Sequence, residues 1–184
     1  MIDLPLSAWF HANPHPVATL FLLLITHWHS TAGVLLMSAV LALFLLRWKQ
    51  PWWLLALVLS VPGGMLLNAG VKHLIQRARP HFDDPVLTLT TYSFPSGHTA
   101  GAALFYGFLA AFVFARTGDR HLRGAIVAIA VVMVALVGLS RVYLGVHYFT
   151  DVVGALVLAM LWLGVCLAVV QALRRHQGGG VAHG

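Results

Sequence analysis

The chain reads Ser140-Arg141-Val142-Tyr143-Leu144-Gly145-Val146-His147-Tyr148-Phe149-Thr150-Asp151 at the point where two long apolar runs meet. This stretch brings a cation, an imidazole and a carboxylate next to hydrocarbon. Ionisable groups in such places are costly and usually mark functional positions. If the backbone is helical from His147 onward, Asp151 lies four residues later on the same face and can bind one imidazole nitrogen. The other nitrogen would then be free to act as a nucleophile or base.

The composition predicts an integral membrane protein. Of its 184 residues, 60% are hydrophobic and only 9% are charged, which is too little polar surface to coat a soluble globule. The length and the lack of an internal linker predict one membrane-embedded domain, residues 1–175, followed by a flexible Gly-rich tail at 176–184. Lys and Arg outnumber Asp and Glu by 11 to 5, but they are scattered between apolar runs. Anionic lipid headgroups are therefore the expected partner, and nucleic acid is not.

The apolar runs predict an all-α, polytopic transmembrane helical bundle with about five full spans. These spans are expected at residues 31–46, 52–71, 95–115, 124–139 and 152–173. Residues 1–30 are read as an N-terminal interfacial or re-entrant helical segment, because residues 16–25 are apolar but too few to cross a bilayer. Whether residues 16–27 span, re-enter or lie on the membrane stays open. A kink or close helix contact is expected at Pro62-Gly63-Gly64, and Ser96 is the predicted N-cap of the third span.

The distribution of basic residues predicts the orientation in the membrane, because cytoplasmic loops hold an excess of Lys and Arg. Alternating spans place most of the basic residues at one end, namely Arg47, Lys49, Arg116, Arg120, Arg123, Arg174 and Arg175. The other end receives only Lys72, Arg77, Arg79 and Arg141. We therefore expect a multi-pass protein of the bacterial inner membrane, with this second end facing the periplasm or the outside.

Three motifs fall at that second end. They read Lys72-x6-Arg79-Pro80, Pro95-Ser96-Gly97-His98 and Ser140-Arg141-x5-His147-x3-Asp151. The transition state of phosphoryl transfer spreads negative charge over three oxygens and is stabilised by fixed donors. The motifs supply three cations and two imidazoles, and a helix beginning near Gly97 would add backbone N–H groups that an anion can approach closely. The set indicates phosphoryl transfer.

Together the motifs resemble the three signature motifs of the type 2 phosphatidic acid phosphatase superfamily. The resemblance runs from Lys72 to Asp151, and the pattern of spans extends it over most of the chain. Within the superfamily the chain looks most like small bacterial lipid phosphatases of the phosphatidylglycerophosphatase B type, which include undecaprenyl-diphosphate phosphatases. Some dedicated undecaprenyl-diphosphatases carry Asp where this chain has Gly97, which bears on the substrate and leaves the chemistry intact.

The resemblance implies a role for each motif residue. His147 would be the nucleophile that forms a phosphohistidine, Asp151 would orient it, and His98 would act as general acid and then as base. Lys72, Arg79 and Arg141 would hold the phosphate oxygens, assisted by the Ser96 hydroxyl and the Gly97 N–H. Arg77 is a possible additional contact for a second phosphate. No metal or cofactor is expected, because the carboxylates needed to hold Mg²⁺ are missing from the motifs.

The predicted activity is hydrolysis of a terminal phosphate from a membrane lipid, with undecaprenyl diphosphate the first choice. Phosphatidylglycerol phosphate, phosphatidate and lipid A phosphates stay open as substrates, and the sequence does not indicate an oligomeric state. A haem or metal protein would need paired histidines in mid-span, whereas here the histidines lie at span ends. A catalytically inactive lipid-binding or transport member of the superfamily would usually lack a catalytic residue, and none of the motif positions is altered.

Overall fold

The computed structural model describes residues 2–87 and 89–179, in which seven α-helices follow one another. The helices are α1 (Asp3–Ala12), α2 (Pro16–Trp28), α3 (Thr31–Arg47), α4 (Pro51–Ile75), α5 (Gly97–Arg116), α6 (Arg120–Tyr143) and α7 (Phe149–Gly179).

Four helices, α4 to α7, are long and apolar enough to cross a membrane. Helices α2 and α3 are separated by a short break at which the chain bends by 52°. They would supply a fifth crossing if they form one bent span. The expected all-α bundle of about five spans is confirmed. The first predicted span corresponds to α3, whose 17 residues reach about 25 Å at 1.5 Å per residue. Since the hydrocarbon core of a bilayer is about 30 Å thick, α3 would cross it only together with α2.

Local capping explains why some helices extend beyond the predicted apolar runs. The Asp119 carboxylate accepts hydrogen bonds from the backbone N–H groups of His121 and Leu122, which starts α6 at Arg120. The loop expected at 116–123 therefore contracts to residues 117–119. At the other end of the chain, α7 continues through Gly179, so residues 176–179 of the predicted tail are helical; residues 180–184 lie outside the described residues.

Helix α5 forms the centre of the bundle and packs against α4, α6 and α7. Its small residues Ala102 and Ala103 and its larger Leu104 and Phe108 are all buried. A Cβ added at Gly64 of α4 would lie 2.6 Å from Leu104 Cδ1 and 2.7 Å from Trp162 Cδ1. The close contact expected at Pro62-Gly63-Gly64 is thus present, and α4 runs through Pro62 as one helix. Small residues at helix contacts are typical of membrane bundles, where packing replaces the hydrophobic effect.

The outer surface of the bundle is apolar. Large side chains such as Leu43, Leu66, Val131 and Leu161 are each more than 60% exposed. In water this surface would be unfavourable, whereas in a bilayer it contacts lipid chains. It lies outside the helix contacts that hold the core together.

The two ends of the bundle carry different sets of polar contacts. At one end Arg116 donates a hydrogen bond to Gln50, which joins the α5 terminus to the turn between α3 and α4. At the opposite end Arg79 contacts His147, and Asp3 of α1 contacts Arg77. The three motifs therefore gather at the end away from the Arg116 and Arg120 loop, as the sequence predicted.

Candidate active site

A cavity of about 530 Å³ brings the three motifs together. Lys72, Arg79, Gly97, His98 and His147 all contribute to its wall. The rest of the wall is mostly apolar and comes from α3, α4 and the α4–α5 loop: Thr31, Leu35, Pro62, Met65, Leu66, Asn68, Ala69, His73, Leu89 and Thr91. The cavity is thus cationic and imidazole-rich on one side and hydrocarbon-like on the other.

A larger groove of about 760 Å³ lies between α5, α6 and α7 beneath α1. Its lining is entirely apolar or glycine, with Ala103, Gly107 and Val134 among its residues. Since it offers no acid, base or nucleophile, the smaller cavity is the candidate active site.

His147 lies in the turn between α6 and α7 and is only 2% exposed. The backbone N–H groups of Val146 and His147 both donate to the Arg141 carbonyl, at 3.2 Å each. Gly145, with φ of +69°, allows the reversal that brings them there. The helix assumed to begin at His147 starts two residues later, so the expected helical spacing is wrong. The turn still places His147 Nδ1 3.5 Å from Asp151 Oδ2.

The environment of His147 keeps its ring neutral. The pKa of this imidazole is lowered to about 4: burial is the largest cause, Asp151 offsets part of it, and the nearby cations Arg141 and Arg79 add to the lowering. At neutral pH the ring therefore has one lone pair, which is what a nucleophile needs.

Asp151, in the first turn of α7, is fully buried and accepts hydrogen bonds from three donors. Its Oδ1 accepts from Arg77 Nη1 at 2.7 Å, while its Oδ2 accepts from the Ser93 hydroxyl and, at 2.8 Å, from the Tyr148 N–H. The carboxylate is therefore fixed in orientation, with Oδ2 towards His147. Buried carboxylates are tolerated when their lone pairs are satisfied in this way.

Lys72 and Arg79 bind the loop that precedes α5. Lys72 Nζ donates to the Tyr92 carbonyl at 2.6 Å, and Arg79 Nε and Nη2 donate to the carbonyls of Thr91 and Tyr92 at 2.6 and 3.0 Å. Arg79 Nη1 also donates to the Val146 carbonyl at 2.6 Å. Burial lowers the pKa of Arg79, with partial compensation by Asp151. Arg79 thus connects the loop before α5 to the turn that carries His147.

Ser96 and Arg141 lie behind the cavity wall. Ser96 occupies the N-cap position of α5, as predicted, although its side chain does not cap the helix backbone, because its hydroxyl accepts from the Thr99 hydroxyl. Its N–H donates to the Asp151 carbonyl at 3.1 Å. Arg141 is 1% exposed and donates from Nη1 to the Thr26 hydroxyl; its Nε is buried with no partner among the described residues.

Arg77 lies on the far side of Asp151 from His147. Its Nη1 donates to Asp151 and to the Thr150 hydroxyl, each at 2.7 Å, and its Nη2 donates to Asp3 at 2.8 Å. Burial opposes its charge, but the two carboxylates outweigh that effect and raise the pKa of Arg77. The expectation that Arg77 binds a second phosphate stays a prediction, although these donors point at protein groups.

Sequence reasoning missed three residues of this site. Ser93 and Asp3 both reach the Asp151 network, and Thr26 contacts Arg141. None lies in a motif, and Asp3 is 147 positions from its partner Thr150. A single sequence offers no signal for such long-range pairs. Only the tertiary fold brings them together.

Residues 53–175 match the PAP2 superfamily. The chain belongs to this superfamily. Its members are phosphate ester hydrolases, so the chain is a membrane-embedded PAP2 lipid phosphatase. The resemblance seen in the three motifs is thereby confirmed.

Individual PAP2 proteins are similar over most of the chain. Phosphatidylglycerophosphatase B of Bacillus subtilis (strain 168) is 35% identical over 139 residues, covering 74% of this chain and 68% of that protein. A crystal structure of the transmembrane PAP2 type phosphatidylglycerolphosphate phosphatase from Bacillus subtilis superposes with a TM-score of 0.82 at 30% identity, covering 91% and 84% of the two chains. The crystal structure of Aquifex aeolicus LpxE gives a TM-score of 0.72 at 24% identity, covering 91% and 96%, and supports the fold alone.

Proposed function

We propose that this PAP2 protein removes the terminal phosphate of a membrane lipid through a phosphohistidine on His147. The observation that carries the proposal is the two-sided cavity, in which His98, His147, Lys72 and Arg79 face apolar residues of α3 and α4. A lipid anchored in the bilayer presents a charged headgroup and a hydrocarbon tail next to each other. The cavity offers a matching surface for both parts.

In the first step, the lone pair on His147 Nε2 attacks phosphorus as the bond from phosphorus to the lipid oxygen breaks. His98 donates a proton to that oxygen, and the dephosphorylated lipid leaves. The phosphorylated ring carries a positive charge with its proton on Nδ1. Asp151 Oδ2, 3.5 Å from Nδ1, stabilises this charge.

In the second step, water attacks the phosphohistidine. His98, now neutral, takes a proton from the water as the phosphorus–nitrogen bond breaks, and the electron pair returns to Nε2. Inorganic phosphate is released. His98 thereby regains the proton that it gave to the lipid oxygen and His147 is again neutral, so the cycle closes.

The cations would stabilise the charge that spreads over the equatorial oxygens. Lys72 and Arg79 belong to the cavity wall. Arg141 approaches from behind, and its unpaired, buried Nε is a donor suited to an oxyanion. Gly97 adds the N-terminus of α5, where backbone N–H groups and the helix dipole favour an anion. Ser96 would assist from the N-cap position of α5, directly before Gly97 in the sequence.

The reaction would take place outside the cytoplasm, in a bacterial inner membrane. The motif end lies opposite the Arg116–Arg123 end, and the basic end is the one retained in the cytoplasm. Lipid phosphates of the outer leaflet are then the accessible substrates. The single domain predicted for residues 1–175 stays part of this proposal.

Two headgroups remain candidates. Undecaprenyl diphosphate is the first choice from sequence, partly because Arg77 was expected to hold a second phosphate. In the structure Arg77 donates to Asp3, Thr150 and Asp151, so that support is weakened. A monophosphate such as phosphatidylglycerol phosphate, the compound after which the similar Bacillus subtilis phosphatase is named, is favoured on this ground. Undecaprenyl diphosphate is the second candidate.

The test is phosphate release by the purified protein in detergent from phosphatidylglycerol phosphate, undecaprenyl diphosphate, phosphatidate and lipid A phosphate at equal surface concentration. His147→Ala supplies the background. We expect kcat/KM to be highest for phosphatidylglycerol phosphate and at least about tenfold lower for a water-soluble short-chain phosphomonoester, a difference of about 1.4 kcal/mol in transition-state binding. Equal or faster turnover of the soluble ester would contradict the lipid proposal.

A further inference from the structure

Asp3 on α1 is a buried carboxylate that nothing in the motifs accounts for. It is 8% exposed although it lies at the third position of the chain. Its Oδ1 accepts from the Thr150 N–H at 3.0 Å, and its Oδ2 accepts from the Thr150 hydroxyl at 2.6 Å and from Arg77 Nη2 at 2.8 Å. Burial opposes ionisation of this carboxyl, but the hydrogen bonds outweigh it and lower the pKa of Asp3. It is therefore charged at neutral pH.

Two of these contacts act on the helix that carries Asp151. Thr150 is in the first turn of α7, where backbone N–H groups have no partner within the helix. Asp3 satisfies one of them from a different helix and places its negative charge at the positive end of the α7 dipole. It thus fixes the backbone next to Asp151.

The third contact runs through Arg77. This guanidinium bridges two carboxylates, with Nη2 on Asp3 Oδ2 and Nη1 on Asp151 Oδ1. Its face also stacks over the Tyr148 ring at 4.3 Å. Because Oδ1 of Asp151 is held from this side, Oδ2 is left facing His147. Bidentate placement of this kind needs the planar fork of Arg, which Lys cannot reproduce.

We propose that Asp3 is a positioning residue for phosphoryl transfer, which holds the Asp151 carboxylate against His147 through Arg77 and Thr150. This inference rests on the proposed role of His147 as nucleophile. Asp3 is not among the residues that line the cavity, and its hydrogen bonds are to Arg77 and Thr150 rather than to a reacting atom. Helix α1 is thereby part of the catalytic apparatus rather than only an interfacial anchor.

The proposal is tested with Asp3→Asn in the full-length protein, measured by kcat and KM on a lipid monophosphate after normalising to folded protein. The amide keeps an acceptor for the Thr150 N–H, so α7 remains capped, but it loses the ion pair with Arg77. We expect kcat to fall at least tenfold with KM within twofold, because orientation of Asp151 matters in the chemical step. His11→Gln is the matched control: it lies on the same helix and loses a 2.7 Å contact with Asp84, and it should keep the wild-type kcat.

A double-variant cycle separates positioning from simple stability. If Asp3 acts through Arg77, the double variant Asp3→Asn/Arg77→Gln should lose no more kcat than Arg77→Gln alone. Losses that multiply, or equal losses in Asp3→Asn and His11→Gln, would overturn the proposal. If Asp3→Asn does not fold, Arg77→Lys keeps the charge but cannot bridge both carboxylates, and it should show the same loss of kcat; a wild-type kcat there would also overturn it.

His147→Ala, run in parallel, tells the two proposals apart. If it retains turnover, the nucleophile assignment fails and the Asp3 inference fails with it. If it is inactive while Asp3→Asn behaves like His11→Gln, only the Asp3 inference fails.

Discussion

Arg79 Nη1 lies 3.2 Å from Nε2 of His147, and a guanidinium has donors but no acceptor. Nε2 must therefore carry the lone pair, and the proton of the neutral ring sits on Nδ1, the nitrogen that faces Asp151. Arg79 thus selects the tautomer that a phosphorus nucleophile needs. In the proposed mechanism the same guanidinium would meet the oxygens of an arriving phosphate, so one residue would link tautomer selection to substrate binding.

The first prediction concerns the nucleophile. His147→Ala should abolish phosphate release, because it removes Nε2, the atom proposed to attack phosphorus. In the described part of the chain, His147 is the imidazole that contacts both Arg79 and Asp151. Asp151→Asn should be less severe, since it removes charge support but leaves the attacking atom. The measurement is kcat by phosphate release together with trapping of the phosphoenzyme. His121→Ala, at the opposite end of the bundle, is the control and should match the wild type.

More than a few per cent of wild-type turnover in His147→Ala would refute the assignment. So would a phosphoenzyme of normal yield in that variant.

The second prediction concerns pH. His147 must be neutral to attack, and its pKa is lowered to about 4, so the nucleophile is available above that pH and is lost as pH falls through it. Arg79→Gln removes a cation that lowers this pKa, so the acid limb of kcat/KM should move to higher pH while the rate falls. Titration of the substrate phosphate is common to both enzymes and cancels in the comparison. An unchanged or lower limb in Arg79→Gln would argue against His147 as the titrating group.

Much of this site could be predicted from the sequence because its parts are local. Lys72, Arg79, Gly97, His98 and His147 each lie in a short motif at a span end, and the cavity unites them as expected. The helical spacing assumed for His147 and Asp151 was wrong, because Gly145 and the Arg141 carbonyl form a turn before α7 begins. The two side chains still come close, so the correct pair was inferred through an incorrect local structure.

The remaining parts could not be predicted because they depend on tertiary contacts. Hydropathy identifies segments that are apolar and long enough to cross a bilayer. It does not show that the axes of α2 and α3 are bent by 52° relative to each other. It also gives no reason to connect Asp3 with Thr150. Arg77 was interpreted as a spare cation beside Arg79, because its two carboxylate partners, Asp3 and Asp151, each lie 74 residues away in the sequence.

The third prediction concerns packing at the centre of the bundle. Gly64→Ala should lower thermal stability by about 1–3 kcal/mol, because the added Cβ would lie 2.6 Å from Leu104 Cδ1 in a fully packed core. Gly70→Ala is the matched control on the same helix, with nothing within 4 Å of its added Cβ, and should be neutral or slightly stabilising. Thermal unfolding in one detergent measures both. Equal Tm values for the two variants would contradict the packing of α4 on α5.

The fourth prediction concerns metals. Phosphate release should survive EDTA, because Lys72, Arg79 and Arg141 supply the positive charge that Mg²⁺ provides elsewhere. The described residues contain no group of three or more His, Cys, Asp and Glu placed to hold an ion. Vanadate should inhibit, since it adopts the five-coordinate geometry of the transition state. Loss of activity on chelation that Mg²⁺ restores would indicate a different phosphatase chemistry.

The last prediction concerns the orientation in the membrane. Asp83 and Gly118 are both exposed loop residues, but Asp83 precedes α5 and Gly118 follows it, so they lie on opposite sides of the bilayer. The native Cys166 is 5% exposed and should react slowly, which makes the otherwise unaltered protein a usable background. With the motif end outside, a membrane-impermeant maleimide should label Asp83→Cys in intact spheroplasts and should label Gly118→Cys only after lysis. Both variants should keep phosphatase activity, because neither side chain takes part in the site. The reverse labelling pattern would place the cavity in the cytoplasm, and the substrate would then have to come from the inner leaflet.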